Sequence, residues 1–481
     1  MRVREAMRGL DGTIARHRGA VLVLWVAIVA LAIPFTLKQG DHLTGGGFAV
    51  PGSDSDRIER LLQRQVPPDK RQVVLAAVLI RDPGVAPAAL RAAVDDLERA
   101  ARATPDVALH ADAGRAAVYV AKQHPGQPVL VPLITGADEY HAPDVATELR
   151  ERLGLAEGYQ RAGVTMHLVG QGALWAGMVD LTKDDLADAE LVGFPIVLVI
   201  LLLVFGSLSA ALLPLALGGA AVTITGALIY WLSTAATMNV YATNMASMIG
   251  IGVAVDYSLF VLVRYREELR AGRARDDARL TALTTSGVAI VFSGLTVIVA
   301  LASLFVIHTA ALRSLAAGAI IVVAVSVLLT ATLLPALLGL LGRRITPGRE
   351  PNGRGWARWA ERVMRRPRLA LVASALLLLA LAAPAAALTL GDGALRQFPP
   401  GNETRVGFER ALEVTTPGRG APVKVLAPPA EVARTLAYLR DDPEVERVAQ
   451  MTRTRDGRYV LIAASARHNG DSDEAKALVE R

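Results

Sequence analysis

The chain has 481 residues, of which 52% are hydrophobic, and its mean hydropathy is +0.38. This composition is too apolar for an ordinary soluble protein of such length. The chain contains no cysteine, which excludes disulfides, thiolate catalysis and cysteine metal sites. The net charge of +6 and the pI near 9.7 come from arginine-rich segments between apolar ones, so they do not require nucleic acid as a partner.

The hydrophobic residues are concentrated in segments long enough to cross a bilayer. A hydrocarbon core about 30 Å thick needs roughly 20 apolar residues of helix. The sequence predicts seven such spans: 19–37, 190–207, 209–232, 240–263, 286–308, 314–341 and 369–390. We expect the first to be an uncleaved helix, because its apolar run is longer than a signal-peptide core and no small-x-small site follows it.

The distribution of arginine predicts the orientation of these spans. Arginines are concentrated before span 1, in 264–285 and between spans 6 and 7, which are segments on one side if every span crosses. The positive-inside rule makes that side the cytoplasm of a multi-pass protein in the cell (inner) membrane. The predicted organisation is a cytoplasmic N-terminus (1–18), span 1 (19–37), an extracytoplasmic porter domain (38–189), spans 2–6 (190–341), a cytoplasmic linker (342–368), span 7 (369–390) and an incomplete second porter domain (391–481). Within the linker, WARWAERVMRR (356–366) is expected to form an amphipathic helix on the membrane face.

The first extracytoplasmic region alternates strand-like and helix-like segments. We predict strands at 73–80, 116–122, 128–134 and 164–170, and helices at 86–102 and 142–154. This order resembles a split β-α-β unit, which makes the fold class a polytopic helical membrane protein with α+β ferredoxin-like porter domains. A helix at 175–189 is expected to continue into span 2, and the glycine-rich TGGG at 44–47 is interpreted as a flexible connection.

An internal repeat runs through the chain with an offset of 349 or 350 residues. RHRGAVLVLW at 16–25 corresponds to RRPRLALVAS at 365–374, and the Pro-Gly pair at 51–52 corresponds to the pair at 400–401. The second extracytoplasmic region then begins the strand and helix pattern of the first. The repeat predicts further spans beyond residue 481, supplied by a longer protein, which we favour, or by a partner chain.

Asp256 is the only acidic residue in the interior of the predicted spans. A carboxylate in the hydrocarbon core costs at least a few kcal/mol, so such a residue is a candidate functional group. Desolvation favours its neutral form, which would let it take up a proton on one side and release it on the other. Tyr257 follows it and is suited to donate a hydrogen bond. We interpret the pair as a proton relay; the alternatives are an acid paired with a cation for packing alone and a tyrosine that only packs between helices.

Three small residues accompany this pair. Gly252 precedes Asp256 by four residues and shares its helix face, where it either admits a neighbouring helix or serves small-residue packing alone. Ser286 and Ser293 are seven residues apart on span 5 and are expected on one side of that helix. Their hydroxyls either extend a hydrogen-bond relay or bond to their own helix backbone, and the second reading is favoured.

Several motifs of other protein classes are missing from the sequence. It has no GxxxxGK[ST] nucleotide loop, no GxSxG nucleophile elbow and no metal-ligand spacing among its eight histidines. We therefore predict no cofactor, no metal site and no enzymatic activity.

Five segments resemble the mycobacterial-membrane-protein-large (MMPL) family of the RND superfamily. They are GGFAVPGSDSDRIERLL, FGSLSAALLPL, GIGVAVDYSLFVLVRYREEL, SGVAIVFSGLTV and LLPALLGLLG, and together they extend over essentially the whole chain. The resemblance implies two six-helix repeats, two porter domains and export of lipids or other hydrophobic molecules driven by the proton gradient. It also implies that Asp256 and Tyr257 face an equivalent pair in span 10, which would lie beyond residue 481.

The leading hypothesis is therefore a proton-driven exporter of a lipid or another hydrophobic molecule. The alternatives are a membrane scaffold or lipid sensor that does not pump, and a translocation accessory similar to SecDF. Asp256 favours the exporter, because a scaffold has no use for a costly intramembrane acid. The sequence leaves open the identity of the substrate and whether the chain forms a homo-oligomer.

Overall fold

The computed structural model describes residues 2–48, 50–66, 75–137, 141–342, 344–345, 347, 354–387, 394–415, 423–468 and 472–480. Residues 73–74 of the first predicted strand and 388–390 of the last predicted span lie outside this part. The α-helices are α1 Arg2–Arg16, α2 Arg18–Leu37, α3 Asp54–Gln65, α4 Ala89–Ala103, α5 Ala113–Gln123, α6 Ala142–Leu153, α7 Gln171–Phe205, α8 Leu208–Ser233, α9 Tyr241–Arg270, α10 Arg275–Ala282, α11 Val288–Ala302, α12 Ala310–Leu341, α13 Arg354–Arg365, α14 Pro367–Ala382, α15 Ala394–Gln397, α16 Glu403–Leu412, α17 Val432–Asp441 and α18 Asp473–Glu480. The strands are β1 Leu43–Thr44, β2 Leu75–Arg81, β3 Val107–Leu109, β4 Val129–Thr135, β5 Gln160–Arg161, β6 Val164–Val169, β7 Met238–Asn239, β8 Val423–Ala427, β9 Val445–Arg453 and β10 Val460–Ala466.

Seven helices in the described part are long and apolar enough to cross a membrane, which confirms the predicted number. Span 5 is composite, because α10 and α11 are joined by a π-helical turn, Leu283–Gly287. α8, α9 and α12 are the most deeply buried spans and form the centre of a bundle with α2, α7 and α11 around it. α14 stands apart, with no buried residue among those described.

α7 joins the first sheet to the membrane bundle without a break. It is 35 residues long, which corresponds to about 52 Å of helix. Its first turns contribute Ala173 and Ala176 to the core of the sheet, and its last turns contribute Leu201 and Phe205 to the core of the bundle. The prediction that the helix at 175–189 continues into span 2 is confirmed.

The first sheet region, within residues 38–189, contains a five-stranded antiparallel sheet in the order β3-β4-β2-β6-β5. Alternate residues of β2 face opposite sides, as the two-residue period of a strand requires. Leu75, Ala77 and Leu79 pack with α4 and α6. Ala76 and Val78 face the other side, where α16 covers them.

The prediction of a strand at 116–122 is wrong, because these residues lie in α5. Ala117 and Ala121 are buried, while Tyr119 and Val120 are exposed. A four-residue spacing of buried positions belongs to a helix, whereas a strand would have buried every second residue. The strands predicted at 128–134 and 164–170 and the helices predicted at 86–102 and 142–154 are confirmed as β4, β6, α4 and α6.

The second sheet region, within residues 391–481, has three antiparallel strands in the order β8-β10-β9. A helix of the first region packs on this sheet: Leu62 and Val66, at the end of α3, contact Leu461 of β10. Lys424 also pairs with Glu59 of α3 at 3.1 Å. Since α16 in turn covers the first sheet, the two regions exchange one helix each.

The repeat identified in the sequence reappears as matching helix starts. Gly52 and Gly401 both adopt positive φ, +83° and +87°, which glycine tolerates without strain. The next residues, Ser53 and Asn402, cap α3 and α16 by accepting from backbone N–H groups of the first turn. The two exchanged helices therefore begin in the same way.

The TGGG segment is packed rather than flexible, so that interpretation is wrong. β1 pairs with β7, and Asn239 donates to the Gly46 carbonyl at 2.6 Å. A Cβ on Gly45 would lie 2.8 Å from the Trp175 carbonyl oxygen of α7. Glycine is needed here because two backbones approach closely.

Candidate functional site

α9 carries Asp256 and Tyr257 and directs them to different sides. Tyr257 is only 8% exposed and lies within the core of the bundle, whereas Asp256 is exposed. Successive residues of a helix are separated by about 100°, so the two side chains cannot share one face. The carboxyl group and the phenol are adjacent in sequence but occupy different environments.

Tyr257 meets span 5 at Ser293. The two hydroxyl oxygens are 3.5 Å apart, at the long end of a hydrogen bond. The neighbouring Gly294 lets α11 pack closely on α12, because a Cβ there would lie 2.5 Å from Val327 Cγ2, whereas its 3.7 Å distance from the Tyr257 hydroxyl would be an ordinary contact. The structure thus brings together two of the predicted site residues, Tyr257 and Ser293.

Asp256 lies on an outward stripe of α9. Met248, Gly252, Asp256 and Phe260 recur every four residues, and all four are exposed. A Cβ on Gly252 would meet nothing within 4 Å, so Gly252 serves no packing against the residues that the structure describes. Gly252 and Asp256 share a face, as predicted, and this face points away from the bundle.

Ser286 lies in the π-helical turn that joins α10 to α11 within span 5. This wider turn shifts the helical register, so the seven-residue spacing from Ser293 does not by itself place both hydroxyls on one side. Ser286 is about 10 Å along the helix from Ser293. The contacts of the described residues do not join Ser286 to Tyr257 or Asp256.

Buried charges at the arginine-rich end of the bundle are functional candidates that the sequence reading missed. Arg279 donates to both carboxylate oxygens of Asp11, at 2.8 and 3.3 Å, and to Asp276 at 2.7 Å. α1 contributes Asp11 together with Met7 and Ile14, all buried on one face. The sequence does contain a signal for Asp11: it follows Met7 by four residues and precedes Ile14 by three, so it lies on the apolar face of α1.

A second buried charge cluster joins the two sheet regions. Arg150 of α6 forms an ion pair with Glu403 of α16 at 3.1 Å and donates to Thr404 Oγ1 at 2.7 Å. It also donates to the Ala173 carbonyl at 3.0 Å, which ties the start of α7 to the same cluster. Glu403 in turn accepts from the Leu168 backbone N–H at 3.0 Å.

The sequence of the chain matches a profile of the MMPL family over residues 48–370, which is more than half of its length. The chain belongs to the MMPL family. Its relatives include the mycolic acid-containing lipids exporter MmpL11 of Mycolicibacterium smegmatis, 41% identical over 87% of this chain and 45% of the relative. The heme uptake protein MmpL11 of Mycobacterium tuberculosis is 38% identical over 95% of this chain and 49% of that protein. The trehalose monomycolate exporter MmpL3 of the same organism is 28% identical over 82% of this chain and 46% of that protein. The chain thus spans about half the length of these curated relatives.

Three of the five segments that resemble the MMPL family lie at junctions or close contacts of the fold. FGSLSAALLPL contains the turn between α7 and α8, where Gly206 has a φ of +61°. SGVAIVFSGLTV includes the end of the π-helical turn, Ser293 and the close-packed Gly294. LLPALLGLLG ends α12, where a Cβ on Gly342 would lie 2.9 Å from the Tyr265 hydroxyl. These three segments of the chain therefore lie where helices join or approach closely.

No group of three or more His, Cys, Asp or Glu residues suited to hold a metal occurs within the described ranges. The chemistry available at Asp256, Tyr257 and Ser293 is proton transfer and hydrogen bonding. Asp256 supplies an acid that can gain and lose a proton, and the two hydroxyls, which meet at a different face of α9, can donate and accept hydrogen bonds.

Proposed function

We propose that the chain is part of an MMPL-type exporter that moves a lipid or another hydrophobic molecule across the cytoplasmic membrane, driven by the proton-motive force. The observation that carries the proposal is the exposure of Asp256 on an apolar outer face of α9. A charge at the bilayer centre costs about 2.5–3.5 kcal/mol on insertion scales. An acid kept there is explained by a task that requires it to gain and lose a proton.

Two features support the proposal that further spans pack on this face of α9. Met248 and Phe260, on the same stripe of α9 as Asp256, are 68% and 65% exposed. α14, the first span of the second repeat, has no buried residue along its described length. We propose that the further spans, from the rest of a longer protein or from a partner chain, cover both surfaces and enclose the carboxyl group.

We further propose that both sheet regions are extracytoplasmic porter domains of ferredoxin-like type. The support is the strand order β3-β4-β2-β6, with α4 after β2, α6 after β4 and antiparallel pairing throughout. The second region repeats the first three strands as β8-β10-β9. A lipid substrate is supported by the names of the MmpL11 and MmpL3 exporters among the relatives.

The test is export of labelled lipid by cells that express the protein with Asp256→Asn. We expect export to be lost while membrane insertion stays normal, because the amide is similar in shape but cannot release a proton. The matched control is Asp54→Asn in the exposed first turn of α3, where the same chemical change should leave export unaffected. Export at the wild-type rate with Asp256→Asn would refute the relay.

A scaffold, a lipid sensor or an accessory similar to SecDF remains the alternative. These proteins would retain lipid binding, but a scaffold or sensor would show no transport when a pH gradient is imposed across a proteoliposome. Heme is a useful competing substrate in the same assay, since one relative is named a heme uptake protein. Accumulation of heme in preference to lipid would replace the lipid proposal.

A further inference from the structure

α13 separates its charged and apolar residues into two faces. Arg358, Arg362 and Arg365 recur with helical spacing and are exposed. Trp359 and Met364, which belong to the apolar side, are 56% and 77% exposed. Large apolar side chains with this exposure on a charged helix are typical of helices that lie in the bilayer interface.

The position of α13 relative to α14 places it at a membrane surface. A single residue, Arg366, separates the end of α13 from Pro367, the first residue of a span. Arg366 has φ −135° and ψ 61°, which is not helical, so α14 does not simply continue the direction of α13. A helix that ends one residue before a span and differs from it in direction has its C-terminal end at the level of the lipid headgroups.

The charge of this segment selects one kind of lipid. Between residues 354 and 368 the sequence has six arginines and one glutamate. Guanidinium groups bind phosphate through paired N–H donors, and tryptophan is enriched at the membrane interface. A neutral membrane surface would satisfy the apolar face but would leave the excess positive charge without a counterpart.

We propose that α13 is a binding surface for anionic phospholipid headgroups, with its apolar face in the outer edge of the hydrocarbon layer and its arginines on lipid phosphates. The surface fixes the depth at which α14 enters the bilayer. This binding role of α13 does not depend on whether the protein transports a substrate. An acidic protein surface is the competing occupant, and it is disfavoured because the apolar face of α13 lies directly beside a span.

The depth of α13 can be measured because the natural chain has no cysteine. Ala360→Cys on the apolar side and Glu361→Cys on the charged side are each spin-labelled in the full chain, in nanodiscs of phosphatidylcholine with or without phosphatidylglycerol. We expect the label at 360 to be accessible to oxygen and the label at 361 to a water-soluble nickel reagent. Equal access of the nickel reagent to both labels would overturn the proposal and favour a protein partner.

Lipid selectivity is tested with Arg358→Gln, Arg362→Gln and Arg365→Gln combined. Enrichment of phosphatidylglycerol around the purified chain is expected to fall by about fivefold for each arginine at the surface, and in wild type it should weaken at high salt. The matched control combines Arg57→Gln, Arg60→Gln and Arg64→Gln on α3, which should leave enrichment unchanged. A lysine version of the α13 triple keeps the charge and should retain most of the enrichment, which separates charge loss from misfolding. Equal enrichment in wild type and the glutamine triple would refute the proposal.

Discussion

Replacing Arg150 tests how firmly the exchanged helix α16 is held on the first sheet. The Arg150 side chain is 8% exposed and forms an ion pair with Glu403 at 3.1 Å, with further hydrogen bonds to Thr404 and the Ala173 carbonyl. Removing one member of a buried pair costs about 3–5 kcal/mol. Glu403 is 18% exposed and keeps the hydrogen bond from the Leu168 N–H, so we expect Arg150→Met to cost about 2–3 kcal/mol.

The assay is hydrogen exchange of α16 and β6 in the intact protein. A loss of about 2–3 kcal/mol corresponds to roughly 30- to 150-fold faster exchange if these elements open together. Arg152→Met is the matched control, because Arg152 lies on the same helix but forms an exposed pair with Glu148, which contributes about 0.2–1 kcal/mol at most. If both variants accelerate exchange of α16 equally, the buried cluster does not hold the helix.

Three further predictions concern packing, pH and the tyrosine hydroxyl. Gly407→Ala should destabilise the docking of α16 by about 1–3 kcal/mol, because its Cβ would lie 2.7 Å from a β6 side chain. Gly252→Ala is the control: its Cβ would meet nothing within 4 Å, so it should be neutral or stabilising in thermal unfolding. If Gly407→Ala and Gly252→Ala changed the stability equally, the docking geometry of α16 would be contradicted. The Glu444–His468 pair, 2.8 Å apart, should give the β9–β10 hairpin its greatest protection from hydrogen exchange at mildly acidic pH, after correction for intrinsic rates. Tyr257→Phe should change the free energy of unfolding by less than about 1 kcal/mol, because the hydrogen bond from the Tyr257 hydroxyl is 3.5 Å long. Transport should fall if the hydroxyl belongs to the relay. A large loss of stability would instead assign the hydroxyl to packing.

The sign of the pH effect follows from opposite shifts in the pair. Burial acts to raise the pKa of Glu444, but hydrogen bonds from the backbone and ring of His468 outweigh it and lower that pKa, so this contribution is present above about pH 4.5 and is lost as the pH falls further. The hydrogen bond to Glu444 raises the pKa of His468, so its contribution is complete below about pH 6.5 and is lost as the pH rises through the raised pKa. Glu444→Gln should flatten the profile. Constant protection of the wild-type hairpin from pH 5 to pH 8 would refute the coupling.

The spans and the sheet pattern could be predicted from sequence because each rests on local periodicity. Apolar length alone located all seven candidate spans, and the repeated Pro-Gly pair marked two corresponding segments, although no helix was predicted at α3 or α16. Segment 116–122 was misread because alanine and valine satisfy both a strand and a helix, and only the burial of Ala117 and Ala121 decides between them.

The candidate site could be predicted only as far as residue types allow. The cost of an intramembrane acid singled out Asp256, and helical spacing placed Gly252 on its face. The same spacing separates Tyr257 from that face, but which of the two faces is buried, and the contact of Tyr257 with Ser293, depend on which helices pack around α9. The pairs Asp11–Arg279 and Arg150–Glu403 join residues far apart in sequence, so no local pattern reveals the partner.

The exchange of α3 and α16 constrains how the protein is made. Val78 and Ala411, which share one small apolar cluster, are more than 300 residues apart, and several membrane spans must be inserted between them. At a synthesis rate of about 5–20 residues per second, the ribosome needs roughly 20–70 s to deliver the covering helix. During that interval the apolar side of the sheet that α16 later covers is exposed, and transiently exposed apolar surface of this kind is prone to aggregation.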